Sequence, residues 1–372
     1  MERRFKKPSL TSQFKICPVP YHFDTYSGCP MGCVYCFSAS VTTFARRNSE
    51  HKEFNYLVGN RPDLFKNWIE RTLNKDIDYK KGEEVAFKER IPLKIGAMAD
   101  PFPYIEKKEK ITYEVLKVLH EYDYPVEIQT KNPQGLLDIA EEFKGANWTI
   151  AVTLISHDDE FSKVIEPYAP SPTKRLKAIK GLVDLGFNVM IKIQPAIYPK
   201  IIDDLPELIR LAKLSGVWGF NIEGLKCRIS MAKTEQKMLQ DTLGSYLGFD
   251  VREFFRNERK LECNKGSDYE LSNEKKREIF ELASKLANQY NIKFFNADNF
   301  IDKKYGSSCE CCGTEKLRDY RLLACDKRSQ LYGNDKASKE LEKCFVNFIR
   351  DKSGKYKNLT IADVCNLENN QK

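Results

Sequence analysis

Short apolar runs alternate with amphipathic stretches along most of the chain. Six of these runs are predicted to be strands, and they lie at residues 20–26, 93–98, 125–130, 148–154, 188–194 and 217–222. Strands that alternate with helices are typical of parallel sheet built from βα units. The pattern therefore predicts an α/β protein with a partial (βα)6 barrel of the TIM type, whose functional groups lie on loops at the C-terminal ends of the strands.

Residues typical of helix ends support the predicted alternation of strands and helices. One helix is predicted at 62–73, inside an insertion at 47–90 that precedes the second strand. Another begins after Ser171 and ends near Gly186, because a capping hydroxyl, a proline in the first turn and a following glycine are common helix boundaries. We expect the barrel to occupy residues 1–228.

Residues 229–372 are predicted to form an α-rich C-terminal extension that completes the barrel or covers it. The extension contains an amphipathic helix at 272–290 and a seventh strand at 292–296, followed by a cysteine-rich loop at 307–313. An aromatic and basic tail at 326–357 follows. Such a tail suits contacts to phosphates and bases, although a solvated helical cap has the same composition.

Composition and charge limit the classes of function that the chain can have. The chain has 372 residues, a net charge of +8 and a pI near 8.7, an excess that suits a polyanionic partner such as nucleic acid. No apolar run approaches the ~18 residues that cross a bilayer, and no signal peptide follows Met1. We therefore expect a cytoplasmic protein without a membrane partner, in which the 12 cysteines are reduced thiols and metal ligands.

Three cysteines with the spacing CxxxCxxC lie on one short loop after the first strand. They are Cys29, Cys33 and Cys36. A structural zinc site would need a fourth Cys or His at short spacing, but Cys17 and His22 precede the strand. Three thiolates suffice for three corners of a 4Fe–4S cluster and leave the fourth iron without a protein ligand. The spacing therefore predicts a cluster with one open iron.

The cysteine loop, with Tyr35 before its last cysteine, resembles that of the radical S-adenosylmethionine (SAM) superfamily. In that superfamily the open iron binds the amino and carboxylate groups of SAM, and one electron cleaves SAM reductively to a 5'-deoxyadenosyl radical. Further segments resemble the branch that contains spore photoproduct lyase and the proteins called DNA repair photolyases. These segments are 23–28, 100–106, 130–132, 166–171, 174–179 and 194–199.

The resemblance implies where SAM is bound. The backbone of Ala97, Ala99 and Asp100 corresponds to the place that receives the methionyl amino group, although Asp100 equally suits a cap of the following turn. Lys131 corresponds to a lysine at a strand end, where it would pair with the methionyl carboxylate through a strong charge-assisted bond. The alternative for Lys131 is a surface lysine in a turn.

Three further residues are implied as cofactor contacts. Thr153 and Gln194 end the fourth and fifth predicted strands, where they either bond the ribose or adenine or anchor the loops. Tyr35 either covers the cluster or the adenine, or packs as an ordinary aromatic side chain.

One departure from the branch concerns the reaction. Spore photoproduct lyase carries a cysteine at the end of its second strand that returns a hydrogen atom to the product, and residues 96–100 contain none. We therefore expect that this protein does not repair spore photoproduct. Cys227, which follows the sixth strand, is a candidate hydrogen donor, with a buried apolar cysteine as the alternative.

A second group of cysteines lies in the extension. Cys309, Cys311 and Cys312 stand within four residues of one another, with Cys325 as the expected fourth ligand. The group predicts a second metal site that holds an auxiliary iron–sulfur cluster or zinc. The alternatives are a loop that folds over the active site and supplies a catalytic thiol, or cysteines without a specific role.

The resemblance implies a radical SAM enzyme that abstracts a hydrogen atom from a substrate and receives electrons from a donor such as flavodoxin or ferredoxin. The branch and the positive charge favour nucleic acid or a nucleotide as the substrate, for modification or repair. The first alternative is a peptide- or protein-modifying radical SAM enzyme with an auxiliary cluster. A non-catalytic iron–sulfur scaffold is the least favoured, because it would not need the segments at the strand ends.

Overall fold

A computed structural model describes residues 1–10, 19–36, 38, 57–76, 82–228, 237, 239–262, 268–298 and 311–321. Its strands are β1 (Ser9–Leu10), β2 (Tyr21–Phe23), β3 (Tyr26–Ser27), β4 (Val58–Gly59), β5 (Leu93–Ile95), β6 (Val126–Thr130), β7 (Trp148–Thr153), β8 (Asn188–Ala196), β9 (Gly219–Gly224), β10 (Cys227–Arg228), β11 (Asp268–Tyr269) and β12 (Lys293–Asn296).

Its helices are α1 (Pro62–Leu73), α2 (Gly82–Lys88), α3 (Glu106–Glu109), α4 (Ile111–Glu121), α5 (Pro133–Leu137), α6 (Asp159–Ile165), α7 (Pro172–Asp184), α8 (Lys200–Leu214), α9 (Ser245–Leu247), α10 (Val251–Glu262) and α11 (Asn273–Tyr290). No helix among these residues is long and apolar enough to span a membrane.

The main sheet has eight strands in the order β1-β2-β5-β6-β7-β8-β9-β12. The strands from β2 to β12 pair in parallel, and β1 pairs antiparallel with β2. Helices connect successive parallel strands, so the predicted α/β partial barrel is confirmed. The predicted seventh strand is also present, since β12 pairs in parallel with β9. The division of the chain at residue 228 stays a prediction.

Alternation along the strands separates a helix-facing side from the barrel interior. Ile128 of β6, Ile150 of β7 and Ile191 of β8 are fully buried in the main hydrophobic cluster, which the helices cover. Since successive side chains of a strand point to opposite faces, the intervening polar residues face the interior. They include Glu127 of β6 and Lys192 of β8. Each large apolar side chain buried on the helix side contributes about 1.5 to 3 kcal/mol.

The first predicted strand is divided in two. Residues 21–23 pair within the main sheet, whereas 26–27 pair antiparallel with 58–59. Asp24 lies between these pairs, and its Oδ1 accepts hydrogen bonds from the backbone amides of Met98 at 2.8 Å and Ala99 at 3.3 Å. The Asp24 side chain therefore ties the point where the chain leaves the sheet to the loop after β5.

Residues 311–321, here called the plug, lie across the N-terminal ends of the strands. Asn147, which precedes β7, exchanges two hydrogen bonds with the backbone of Arg318, at 2.8 and 2.7 Å. Asp123, which precedes β6, pairs with the Arg318 guanidinium at 2.9 Å. Arg90, which precedes β5, donates to a backbone carbonyl of the plug at 2.7 Å. The plug therefore lies at the end of the barrel opposite the loops that follow the strands.

Candidate functional site

The cysteine loop (residues 29–36) follows β3 at the C-terminal end of the sheet. Cys33 is buried, Cys36 is half-buried and Cys29 is exposed. Burial raises the pKa of the Cys33 thiol, and the nearby Cys29 and Cys36 raise it further. Cys36 N–H also donates to the Cys33 carbonyl at 3.1 Å, so the last two cysteines share one tight turn.

This donor set fits an iron–sulfur cluster. Iron–sulfur clusters take cysteine thiolates as ligands, one for each ligated iron, so the thiols do not have to converge on one ion. In the described part of the chain, no group of three or more His, Cys, Asp or Glu residues is arranged around a single metal ion. Cys29, Cys33 and Cys36 would hold three irons, as the spacing predicts.

The segment after α6 holds the cysteine loop in place. Val34 N–H donates to the Ile165 carbonyl at 3.0 Å, and Tyr168 N–H donates to the Met31 carbonyl at 3.3 Å. Gly32 has a φ of +65°, and a Cβ atom there would lie 2.7 Å from the Tyr168 ring. The close approach of Tyr168 to the loop therefore requires glycine at position 32.

A buried ion pair lies behind the loop. The Arg175 guanidinium donates to Glu166 at 2.6 Å, and neither side chain is exposed. Arg175 also donates to the Pro170 carbonyl at 2.7 Å and to the Thr153 carbonyl at 2.9 Å. The Tyr35 hydroxyl donates to the other Glu166 oxygen. Burial alone would raise the pKa of Glu166, but Arg175 and Lys131 lower it, so the carboxylate stays ionised.

Lys131 lies between this ion pair and the cysteine loop. Its Nζ is 4.0 Å from Glu166 Oε1 and 5.5 Å from the centre of the Tyr35 ring. Burial lowers the pKa of Lys131, but Cys33 and Glu166 raise it more, so the net shift is upward. The structure therefore brings together Lys131, Tyr35 and the cysteines, and Lys131 is a cation next to the thiols. Its contact with SAM stays a prediction.

Asp100 acts as a cap in this structure. Its Oδ1 accepts from Phe102 N–H at 3.0 Å and from Thr130 Oγ1 at 2.9 Å, and its Oδ2 accepts from Lys131 N–H at 2.6 Å. These bonds join the ends of β5 and β6. Although Cys29 is exposed as a residue, partial loss of hydration around its thiol, together with the nearby Asp100 carboxylate, raises the pKa of Cys29 to about 11. Of the two roles expected for Asp100, the geometry supports the turn cap.

The other implied SAM contacts also lie near the strand ends. Ala97 is half-buried and Ala99 is buried, in the loop that Asp24 holds. Thr153 ends β7 and is half-buried, and its carbonyl binds Arg175. Gln194 lies inside β8, because that strand continues to Ala196 with a register shift after Ile193. The roles of these residues stay predictions.

Cys227 follows β9 and lies in a hydrophobic environment. It is 4% exposed, belongs to the main hydrophobic cluster and sits on β10, which pairs with β11. This environment resembles that of a packed apolar cysteine. Its role as a hydrogen donor stays a prediction.

Cys311 and Cys312 lie in the plug, and Cys309 and Cys325 lie outside the described residues. Cys311 packs with Ala151 and Met190 in the barrel interior, and its sulfur is 3.9 Å from that of Cys312. Cys311 and Cys312 therefore lie towards the N-terminal ends of the strands, with the rest of the plug. Whether the loop at 307–313 supplies a catalytic thiol stays a prediction.

The barrel interior holds a charged group that the sequence analysis did not identify. Glu127 is fully buried, and its carboxylate lies 3.6 Å from Lys94 Nζ. Burial, together with Cys312, raises the pKa of Glu127 to about 7. Asp24, Glu166 and Arg175 were also missed as functional residues, although they lie within segments whose resemblance to the branch was recognised.

A model of the Radical SAM superfamily matches residues 24–212, slightly more than half of the chain. This chain belongs to the radical SAM superfamily. Its fold and its cysteine loop agree with that membership, and the protein is therefore a radical SAM enzyme.

Its curated relatives include an uncharacterized protein of Methanocaldococcus jannaschii, 28% identical over 206 residues, which are 53% of this chain and 67% of the relative. An uncharacterized protein of Mycobacterium tuberculosis is 24% identical over 220 residues, which are 57% of this chain and 60% of the relative. The chain thus matches somewhat less than two thirds of the mycobacterial protein.

Solved structures of spore photoproduct lyase share the fold. A mutant of that enzyme aligns with a TM-score of 0.51 and 15% identity, over 79% of this chain and 81% of the other. A complex of the enzyme with dinucleoside spore photoproduct aligns with a TM-score of 0.50 and 14% identity, over 75% of this chain and 77% of the other. The expected resemblance to this branch is confirmed at the level of fold.

We predict that Arg175→Met destabilises the protein by about 3 to 5 kcal/mol, because Glu166 would be left as an unpaired buried carboxylate. Urea unfolding of the metal-free protein measures this change. Arg210→Met is the matched control, since Arg210 pairs with Glu207 on the surface of α8, and we expect no measurable loss there. Adding Glu166→Gln to Arg175→Met should restore part of the stability. Equal effects of the two arginine substitutions would contradict the prediction.

Proposed function

We propose that this enzyme holds a 4Fe–4S cluster on Cys29, Cys33 and Cys36 and uses it to cleave SAM reductively to a 5'-deoxyadenosyl radical. The radical abstracts a hydrogen atom from nucleic acid or a nucleotide, in a modification or repair reaction other than repair of spore photoproduct. The observation that carries the proposal is the position of three cysteines on one short loop with the half-buried Lys131, whose Nζ lies 5.5 Å from the centre of the Tyr35 ring of that loop.

In this proposal the residues of the chain bind and orient SAM and exclude water. Lys131 would pair with the methionyl carboxylate of SAM, because it is charged and partly shielded from water beside the cysteine loop. Asp24 holds the backbone of Met98 and Ala99, which would meet the methionyl amino group. Thr153 and Gln194 would contact the ribose or adenine. These groups, together with Tyr35, would exclude water from the site.

Two observations support a nucleic-acid or nucleotide substrate. The net charge of +8 favours a polyanion, and a structure with the same fold holds a dinucleoside photoproduct. The peptide-modifying alternative requires an auxiliary cluster beside the substrate, and Cys311 and Cys312 lie at the opposite end of the barrel. An electron donor such as flavodoxin or ferredoxin and a cytoplasmic location complete the proposal.

A second metal at Cys309, Cys311, Cys312 and Cys325 is part of the proposal, supported by the 3.9 Å between two of these sulfurs. We predict that replacing Cys309, Cys311 and Cys312 with alanine removes one cluster's worth of iron, or one zinc with a loss of stability, because a structural metal contributes folding energy directly. Metal analysis measures the iron and the zinc content of the variant. Wild-type content of iron and zinc would rule the site out.

The principal experiment is anaerobic reconstitution, followed by counting of iron and sulfide and an assay for 5'-deoxyadenosine with SAM and dithionite. We predict that replacing Cys29, Cys33 and Cys36 with alanine removes the cluster iron and all deoxyadenosine formation, because the loop carries no substitute ligand. Cys227→Ala serves as a control for the loss of a thiol outside the cysteine loop. The iron content of that variant should equal that of the wild type. Reductive cleavage by the triple variant would refute the assignment.

We predict that Lys131→Ala weakens SAM binding about ten- to a hundredfold, since the loss of one charge-assisted contact is worth ~1.5 to 3 kcal/mol. Equilibrium binding to the reconstituted protein measures the effect. The iron content of each preparation separates loss of SAM affinity from loss of the cluster, and Lys131→Arg, which keeps the charge, should bind better than Lys131→Ala. Unchanged affinity in Lys131→Ala would reject the role.

A further inference from the structure

A buried histidine lies in the strand that precedes the cysteine loop. His22 belongs to β2 and is 8% exposed. Its Nδ1 lies 3.1 Å from Asp24 Oδ2, and its Nε2 lies 3.1 Å from the Ser9 hydroxyl oxygen on β1. A carboxylate only accepts hydrogen bonds, so Nδ1 carries the hydrogen and donates it to Asp24. The imidazole ring is therefore held in one orientation from both sides.

Asp24 is bonded through both carboxylate oxygens. Its Oδ2 accepts from His22, and its Oδ1 accepts from the backbone amides of Met98 at 2.8 Å and Ala99 at 3.3 Å. The torsion that turns a carboxylate about its last single bond has broad energy minima, so bonds to one oxygen alone leave the group free to turn. The donor on the second oxygen fixes it. His22 thus determines how Asp24 presents Oδ1 to the loop after β5.

The two bonded amides fix the direction of the carbonyls in the same peptide groups. In a planar trans peptide group the C=O and N–H bonds point in opposite directions. Since Met98 N–H and Ala99 N–H both point at Asp24, the carbonyls of Ala97 and Met98 point away from it. The Met98 carbonyl accepts from the hydroxyl of Ser38, just after the cysteine loop, at 2.6 Å. The Ala97 carbonyl is therefore turned away from Asp24 by the same bonds.

The direction of this carbonyl matters for the proposed binding of SAM. The methionyl amino group offers N–H donors, and a backbone carbonyl is an acceptor that suits them. A carbonyl that can turn has to be immobilised when the ligand binds, and this immobilisation lowers the affinity. A carbonyl that is fixed beforehand avoids that cost.

We propose that His22 is a positioning residue for the binding of SAM. Through Asp24 it fixes the backbone of residues 97–99, so that the Ala97 carbonyl is directed towards the methionyl amino group before SAM arrives. Ser9 fixes the ring of His22 in turn. The inference deepens the proposed function and rests on it, because the proposed function brings SAM to this loop.

The competing explanation is a purely structural histidine, which would stabilise the fold as a whole without acting on the loop after β5. His120 has an environment of that kind. It is half-buried on α4, and its ring packs edge-on against Phe143 and Trp148 on the helix side of the sheet. The same substitution at His120 is therefore the matched control.

The test compares variants of the full, reconstituted protein. His22→Leu removes both hydrogen bonds of the ring, His22→Asn keeps a donor near the position of Nδ1, and His120→Leu is the control. The first readout is hydrogen–deuterium exchange of the backbone amides of Met98 and Ala99, measured by mass spectrometry without SAM or reductant. The second readout is the equilibrium Kd for SAM, measured together with the iron content of each preparation.

We expect His22→Leu to speed exchange of the two amides and to raise the Kd for SAM, each about tenfold, as the loss of one hydrogen bond to a charged group predicts. Its iron content should equal that of the wild type, and KM for SAM should change more than kcat. His22→Asn should recover most of both losses. His120→Leu should keep wild-type exchange at these amides and wild-type Kd, even where it lowers Tm.

Wild-type exchange at Met98 and Ala99 in His22→Leu would overturn the proposal, and so would equal changes in His22→Leu and His120→Leu. If His22→Leu does not fold, Ser9→Ala decides the question: faster exchange with a raised Kd supports the positioning role, and wild-type values contradict it. The inference alone fails if the wild type binds SAM and His22→Leu binds it equally well. If the wild type binds no SAM, the proposed function fails as well.

Discussion

The ion pair between Glu166 and Arg175 is the interaction on which the rest of the site depends. Removing a charge from water is unfavourable by several kcal/mol, so a fully buried pair is stable only when further hydrogen bonds satisfy both groups. Here Arg175 binds two backbone carbonyls in addition to Glu166, and Glu166 also accepts from Tyr35. One pair thus connects α7, the end of β7 and the cysteine loop.

The same pair determines the charge next to the thiols. A lysine buried without a partner would lose its proton more easily, but Glu166 and Cys33 raise the pKa of Lys131 and keep it charged. In return, Lys131 lowers the pKa of the Cys33 thiol, against the larger effect of burial. Lys131 therefore offsets part of the negative charge that metal-bound thiolates would bring into a poorly solvated loop. The cation and the thiols are interdependent.

The spacing of apolar residues and the residue types at helix ends predicted the strands and helices well, because both are local properties of the sequence. The helix after Ser171 begins at Pro172 as predicted, although the Ser171 hydroxyl makes no capping bond. The helix after Ser272 has the expected cap, with the serine accepting from Lys275 N–H. The cysteine spacing identified the superfamily for the same reason, since all three ligands lie within one loop.

Contacts between distant segments could not be predicted in this way. The two-residue strand β1 is too short to show a pattern, and β3 pairs with β4 across about thirty intervening residues. Nothing local distinguishes Glu166 from an exposed carboxylate, because its burial depends on the helix that supplies Arg175. The position of the plug follows from bonds between Arg318 and Asn147, which are 171 residues apart.

The two ends of the barrel differ in a way that bears on function. At the N-terminal end the plug bonds to the segments before β5, β6 and β7, and the interior behind it contains Glu127, fully buried with a pKa of about 7. At the other end Cys29, Tyr104 and Tyr168 are exposed. Asp100, Thr130 and Lys131, whose hydrogen bonds join the ends of β5 and β6, lie at that same end. The bonds that fix the plug and the groups that surround the cysteine loop are therefore separated by the length of the strands, because β5, β6 and β7 run in parallel from one end to the other.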